Sequence, residues 1–258
     1  MRRDRQEAFS LLELLLVSAL FSLFLLVSYS LLSSGIGVWQ KTASSQDVSF
    51  QLAKVKAALR EDLAQASAES CAVSQTPSVP ADLNSGDIVW FLSAINPATG
   101  QLAKKDDGTP FWQRNIVYYL SVPRDHDQLF GFRCAKQNCP HKFLVRRVFD
   151  TTPATTPDSP ESREERLMSR DEVRQRTGPP QGYDLNIAGP AAEREELVAS
   201  ALLAFEVKLG PEDLADEVEV RVSGFQTEDA GKKVKVGSED LLQSPYARHD
   251  IVSIFPGN

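Results

Sequence analysis

The sequence predicts an α+β chain: one long N-terminal helix, a membrane stem in its first half and amphipathic in its second, packed on an antiparallel β-sheet head. No proline occurs between Phe9 and Pro77, so nothing there forces a helix to break. Within that stretch an uncharged run, residues 14–39, passes into a stripe with apolar residues three or four apart. Beyond Pro77 the pattern changes to short runs of period two bounded by turn residues, the signature of strands.

The chain opens on a charged leader, MRRDRQEA, at residues 1–8, followed by FSLLELLLVSALFSLFLLVSYSLLSSGIGVW at 9–39. At ~1.5 Å rise per residue this run can cross a hydrocarbon core of roughly 30 Å. Arg2, Arg3 and Arg5 outnumber Asp4 and Glu7, which predicts a cytoplasmic N-terminus and an exported remainder. The run is too long for an ordinary signal-peptide core, and only Ala43 and Ser45 offer a weak small-x-small cleavage site. The single acid in the run is Glu13. A carboxylate costs about 2.5 kcal/mol or more at a bilayer centre, so one at this position asks for a partner. Phe9 and Glu13 are four apart and share a helix face.

AFSLLELLLVSALFSL resembles the class III signal of type IV pilins and type II secretion pseudopilins. The resemblance covers about thirty residues. It implies cleavage by a prepilin peptidase between Ala8 and Phe9, methylation of the new N-terminus at Phe9, and Glu13 as the fifth mature residue. The family normally carries glycine before the cut; this chain carries Ala8. The resemblance further implies that the Glu13 carboxylate pairs with the N-terminal ammonium of a neighbouring subunit in a filament. Such a pair offsets the cost of taking either charge into an apolar core and acts mainly as a register device. The other reading places Glu13 at the headgroup level beside Arg5.

The helix is expected to continue to about residue 69. Val48, Leu52, Val55, Leu59, Leu63 and Ala66 form one stripe, with Lys54, Arg60, Glu61 and Asp62 mostly opposite as a solvated face. Gly35 and Gly37 lie between the halves, where a bend is easiest. Residues 70–258 form the head, with strands expected at 87–92, 115–122, 143–149, 202–209, 217–225 and 250–255. Leu203, Phe205, Val207 and Leu209 alternate onto one face, and Val218, Val220 and Val222 oppose Glu217, Glu219 and Arg221. That alternation suits a sheet with one face covered, here by the helix. Residues 150–196, rich in Pro, Ser, Thr and charge, are expected as an exposed, partly disordered insertion with a short helix near 161–176.

Three shorter stretches narrow the resemblance. FQLAKVKAALREDLAQA contains Arg60-Glu61-Asp62-Leu63, similar to the post-stem helix of minor pseudopilin J. NIVYYLSV and FLVRRVF resemble a strand pair of that subgroup, Tyr-rich then Leu-x-Arg-Arg. A minor pilin W-like subunit fits the same residues, and the size suits a minor rather than a major subunit.

The chain has 258 residues, 42% hydrophobic, enough for a stem and one substantial head or two small ones. A net charge of −7 gives no electrostatic support for general nucleic-acid binding. Cys134 and Cys139 enclose a four-residue loop, and a disulfide there is the expectation for an exported head; Cys71 is the odd cysteine and an alternative partner. Cys134, Cys139 and His141 lack standard zinc spacing and an obvious fourth ligand, so no metal ligand is assigned. Asp106-Asp107-Gly108 and Asp125-His126-Asp127 read as turns rather than calcium loops. No GxSxG, HExxH, Walker loop or GxGxxG occurs, and His126, His141 and His249 read as surface groups.

The expectation is therefore a non-enzymatic minor pilin or pseudopilin without cofactor or small-molecule substrate. Its implied partners are other pilin-like subunits, a prepilin peptidase and an inner-membrane assembly platform driven by a separate ATPase. Its implied location is the inner membrane with the head exported, then a filament in the periplasm or on the cell surface. The alternatives are a single-pass anchored binding or enzymatic domain, and a DNA-uptake minor pilin.

Overall fold

The computed structural model describes residues 10–74, 86–96, 99–112, 114–131, 139–150, 167–185, 192–210, 217–228, 233–234 and 241–256. The chain divides into two compact units, Met1–Ser44 and Ser45–Asn258.

Helix α1 runs Leu11–Leu63 without a break, Gly35 and Gly37 included. In the first unit its side chains are almost all exposed, and it is long and apolar enough to be a membrane anchor or a signal sequence. Three of its hydroxyls bond back within the helix: Ser18 Oγ donates to the Leu14 carbonyl at 2.7 Å, Ser22 to Ser18 at 2.8 Å and Thr42 to Val38 at 3.0 Å. Back-bonding of this kind satisfies a hydroxyl donor without water.

In the second unit α1 buries Val48, Leu52, Val55, Leu59 and Leu63, the predicted stripe. Each such side chain contributes about 1.5–3 kcal/mol on leaving water. The helix ends sooner than its periodicity suggests. Gln65 N–H turns back to the Asp62 carbonyl at 3.2 Å, and strand β1 begins at Ala66 (Ala66–Ser74). Ala66 keeps its place in the core, but from a strand.

The sheet continues with β2 (Ile88–Ser93), β3 (Arg114–Ser121), β4 (Lys142–Asp150), β5 (Arg194–Leu209), β6 (Val218–Phe225) and, after the small hairpin β7 (Thr227–Glu228) and β8 (Lys233–Val234), β9 (Ala247–Ile254). Its order is β1-β2-β3-β4-β5-β6-β9 and every neighbouring pair is antiparallel, so the main sheet is a meander. The six expected strands are present; β1 was not foreseen, and β5 starts eight residues before the expected 202.

Two expectations are corrected. The first is the parity of β5. Leu202 and Phe205 both face the helix core, while Leu203 joins Phe225 and Leu241 in a separate cluster and Leu209 is exposed. Pairing with β6 shifts between Leu202 and Ala204, and Ala201 takes φ 56°. One extra residue at a bulge moves what precedes it to the other face.

The second is the insertion. Residues 167–185 are not a solvated loop. They carry helix α3 (Arg170–Arg176), capped by a Ser169/Glu172 capping box, and bury Met168 and Val173 against Trp90, Val117, Tyr119, Val145 and Phe149. Residue 150 and residues 167–185 and 192–196 aside, the rest of 150–196 lies outside the described residues. Trp90 Nε1 donates to the Met168 carbonyl at 2.8 Å, and Met168 N–H to Asn115 Oδ1 at 2.9 Å. β2 and β3 are buried along their whole length because the helix covers one face and this segment the other. Their unbroken apolar runs, IVWFL and IVYYL, are the signal of two-sided burial.

Candidate functional site

At the described start of α1, Glu13 is exposed and folded back on Ser10. Ser10 N–H and Oγ–H donate to Glu13 Oε2 at 2.9 and 3.1 Å, and Glu13 N–H donates to Ser10 Oγ at 3.2 Å. This is a capping box, and it orients the carboxylate at the helix N-terminus, where the macrodipole favours negative charge. Ser10-x-x-Glu13 is legible in the sequence as that motif. Ala8 and Phe9 lie outside the described residues.

The solvated-face reading fails at Asp62. Its carboxylate takes two bonds from Arg146, Nε to Oδ2 at 2.6 Å and Nη2 to Oδ1 at 2.9 Å, and a third from the Tyr118 hydroxyl. Side-chain exposure is only 14% for Asp62 and 13% for Arg146, so the pair is largely removed from water. Tyr118 and Arg146 stand opposite each other in the β3–β4 ladder and therefore share a face. Burial, the largest influence on Arg146, pulls its pKa down, but the bonds and charge of Asp62 outweigh it and the guanidinium ends raised. Tyr118 is pushed well above the ordinary phenol, first by burial and then by the Asp62 charge. Periodicity missed this contact because Asp62 sits in the last turn, beside the stripe, where the sheet reaches around the helix end.

The adjacent residues point the other way. Arg147 is fully buried on the insertion side, where it pairs with Glu195, donates to the Arg176 carbonyl and lies 4.9 Å from the centre of the Phe149 ring. Tyr119 donates to the Gly178 carbonyl at 2.9 Å, and burial pushes its phenol up to about 12. Thus Tyr118-Tyr119 and Arg146-Arg147 fasten the sheet on both faces, one member of each pair to the helix and the other to the insertion. The end of α1, β3 and β4 meet here.

A further cluster lies between β3 and β4. Helix α2 (His126–Phe130) begins with His126, and Cys139 and His141 lead into β4. All three are buried, so the surface reading holds only for His249, which is exposed and contacts Ser223 Oγ at 2.8 Å. His126 and His141 are enclosed by Phe130, whose ring stacks on His141 at 4.0 Å between centroids and lies 5.0 Å from His126. Asp125-His126-Asp127 enters this short helix rather than a plain turn; Asp125 Oδ1 accepts from Gly182 N–H at 2.6 Å. Asp107 is in a turn as expected, its Oδ1 accepting from Thr109 N–H at 2.9 Å. Cys134 lies outside the described residues, and with it the Cys134–Cys139 pairing. Cys71 is on β1, its thiol pushed up to about 12 by burial.

Compared with known proteins, the chain matches no family model, no curated protein and no solved structure.

Proposed function

We propose that this chain is a minor pilin or pseudopilin, a structural subunit processed at Ala8–Phe9 and assembled into a filament through its N-terminal helix. The observation that carries the reading is the coincidence of two things. A basic leader with Phe9 and Glu13 four apart stands at the start of an apolar, exposed helix, and that same helix continues into the core of an antiparallel head. An isolated anchor needs no carboxylate at Glu13 and no continuous helix running from an apolar segment into the head core. A helical filament uses both: exposed apolar surface for lateral packing, and one charge for register.

In this reading Ser10 holds the Glu13 carboxylate until a neighbour's ammonium takes it, an exchange of hydrogen-bond donors within one helical turn. The head is a structural or contact module rather than a catalyst, placed outside the inner membrane. Cleavage is tested by mass spectrometry of the N-terminal peptide from cells with and without prepilin peptidase. The expected species is a methylated N-terminal Phe9 that vanishes without the enzyme; an intact leader in both strains assigns the chain to simple membrane anchors. Glu13→Ala is expected to insert normally and fail to enter filaments, measured by co-purification with the other subunits. Normal incorporation refutes the register role.

A further inference from the structure

We propose that His126, Cys139 and His141 form a zinc site that locks the β3–β4 connection, independently of whether the chain enters a filament. His126 Nε2 stands 3.3 Å from His141 Nδ1 and 3.3 Å from Cys139 Sγ. The three donor atoms all lie within 4.8 Å of one another. With zinc–nitrogen bonds of ~2.0–2.1 Å and a zinc–sulfur bond of ~2.3 Å, tetrahedral coordination puts donors about 3.3–3.6 Å apart. Both 3.3 Å separations sit at the short edge of that range.

The protonation pattern suits a ligand set. His126 Nδ1 is 3.1 Å from Asp127 Oδ1. A carboxylate there holds the proton on Nδ1 and leaves Nε2 with its lone pair facing Cys139 and His141, the outer-shell arrangement typical of metal-bound histidine. Phe130 walls the cluster on the imidazole side, which lowers the local dielectric and strengthens a thiolate–cation bond. Thiolate with two imidazoles selects a borderline-soft cation such as Zn²⁺ over Ca²⁺ or Mg²⁺. A Cys–His nucleophile is the other chemistry this trio permits, but a thiol with no exposed surface offers a substrate no approach.

On binding, Cys139 releases its thiol proton to solvent and its sulfur lone pair enters the coordination bond; no redox change occurs. The fourth tetrahedral position takes water. The consequence is mechanical. The cluster joins α2 to the start of β4, and α2 is already tied to the insertion, Asp125 to Gly182 and Arg124 N–H to the Pro180 carbonyl at 2.9 Å. One cation therefore fixes the corner where helix α2, the sheet and the insertion meet.

The test uses the full chain purified in detergent under mild reduction, stripped with a chelator and titrated with Co²⁺ and then Zn²⁺. Expected are a thiolate-to-cobalt charge-transfer band with tetrahedral visible bands, displaced by about one Zn²⁺ per chain. His126→Ala and Cys139→Ser lose the band, and Asp127→Asn, which removes no ligand but alters the contact to His126 Nδ1, weakens binding about 10–100-fold. Wild-type chain with a folded far-ultraviolet spectrum and no cobalt band overturns the proposal. So does an unchanged band in Cys139→Ser, or an intact mass lowered by two hydrogens with Cys139 in a disulfide that mild reduction leaves intact.

Discussion

Replacing Asp62 by alanine tests whether the helix end is held by charge or by apolar packing alone. The substitution removes three hydrogen bonds at once and leaves the Arg146 guanidinium, 13% exposed, with the loss of its carboxylate partner. Breaking one partner of a buried ion pair costs about 3–5 kcal/mol. The residual exposure of both side chains admits some water, so the lower end applies, about 3 kcal/mol. With a urea slope of about 2–3 kcal/mol/M, the unfolding midpoint falls by about 1–1.5 M. Trp90, buried under the insertion, reports the transition by fluorescence in detergent-solubilised chain. A double-mutant cycle with Arg146→Ala is expected to return a coupling of about 1.5 kcal/mol or more. Asp62→Leu with Arg146→Met is expected to recover most of the loss, because an apolar pair of similar volume removes both desolvation terms. A midpoint shift equivalent to less than about 0.5 kcal/mol in Asp62→Ala, the size of a surface substitution, refutes the clamp.

Gly224→Ala places a Cβ 2.7 Å from Val48 Cγ1, and the stiff β-branched side chain on a helix cannot swing away, so destabilisation of about 1–3 kcal/mol is expected in the same urea assay, with recovery in Val48→Ala. Stability is expected to fall as pH rises above about 9. Burial holds Cys71 and Tyr119 protonated to about 12 and raises Tyr118 well above the ordinary phenol, whereas the unfolded groups lose their protons near 9.0 and 10.0. The unfolded state then binds fewer protons, so the slope is negative between the unfolded and folded values; a midpoint flat to about pH 12 contradicts this burial.

Local pattern carried much of the architecture. The helix stripe Val48–Leu52–Val55–Leu59–Leu63 and the alternation of Val218, Val220 and Val222 are set by the periods of helix and strand, which any stretch of sequence displays by itself. The two-sided burial of β2 and β3 is also carried by their unbroken apolar runs.

The pairings were decided elsewhere. Asp62 meets Arg146 eighty-four residues on, and His126 meets Cys139 and His141 across the end of the β3–β4 hairpin. Neither contact has a local signature, because a polar residue looks solvated until another element arrives to bury it. The parity of β5 likewise depends on one bulge residue, Ala201–Ala204 being continuous in composition with its flanks. What the sequence by itself determined is which faces are apolar, since side-chain chemistry and backbone period suffice for that. What only the tertiary structure decided is which charges and donors meet on those faces, since that requires the sheet register and the path of the insertion to be in place.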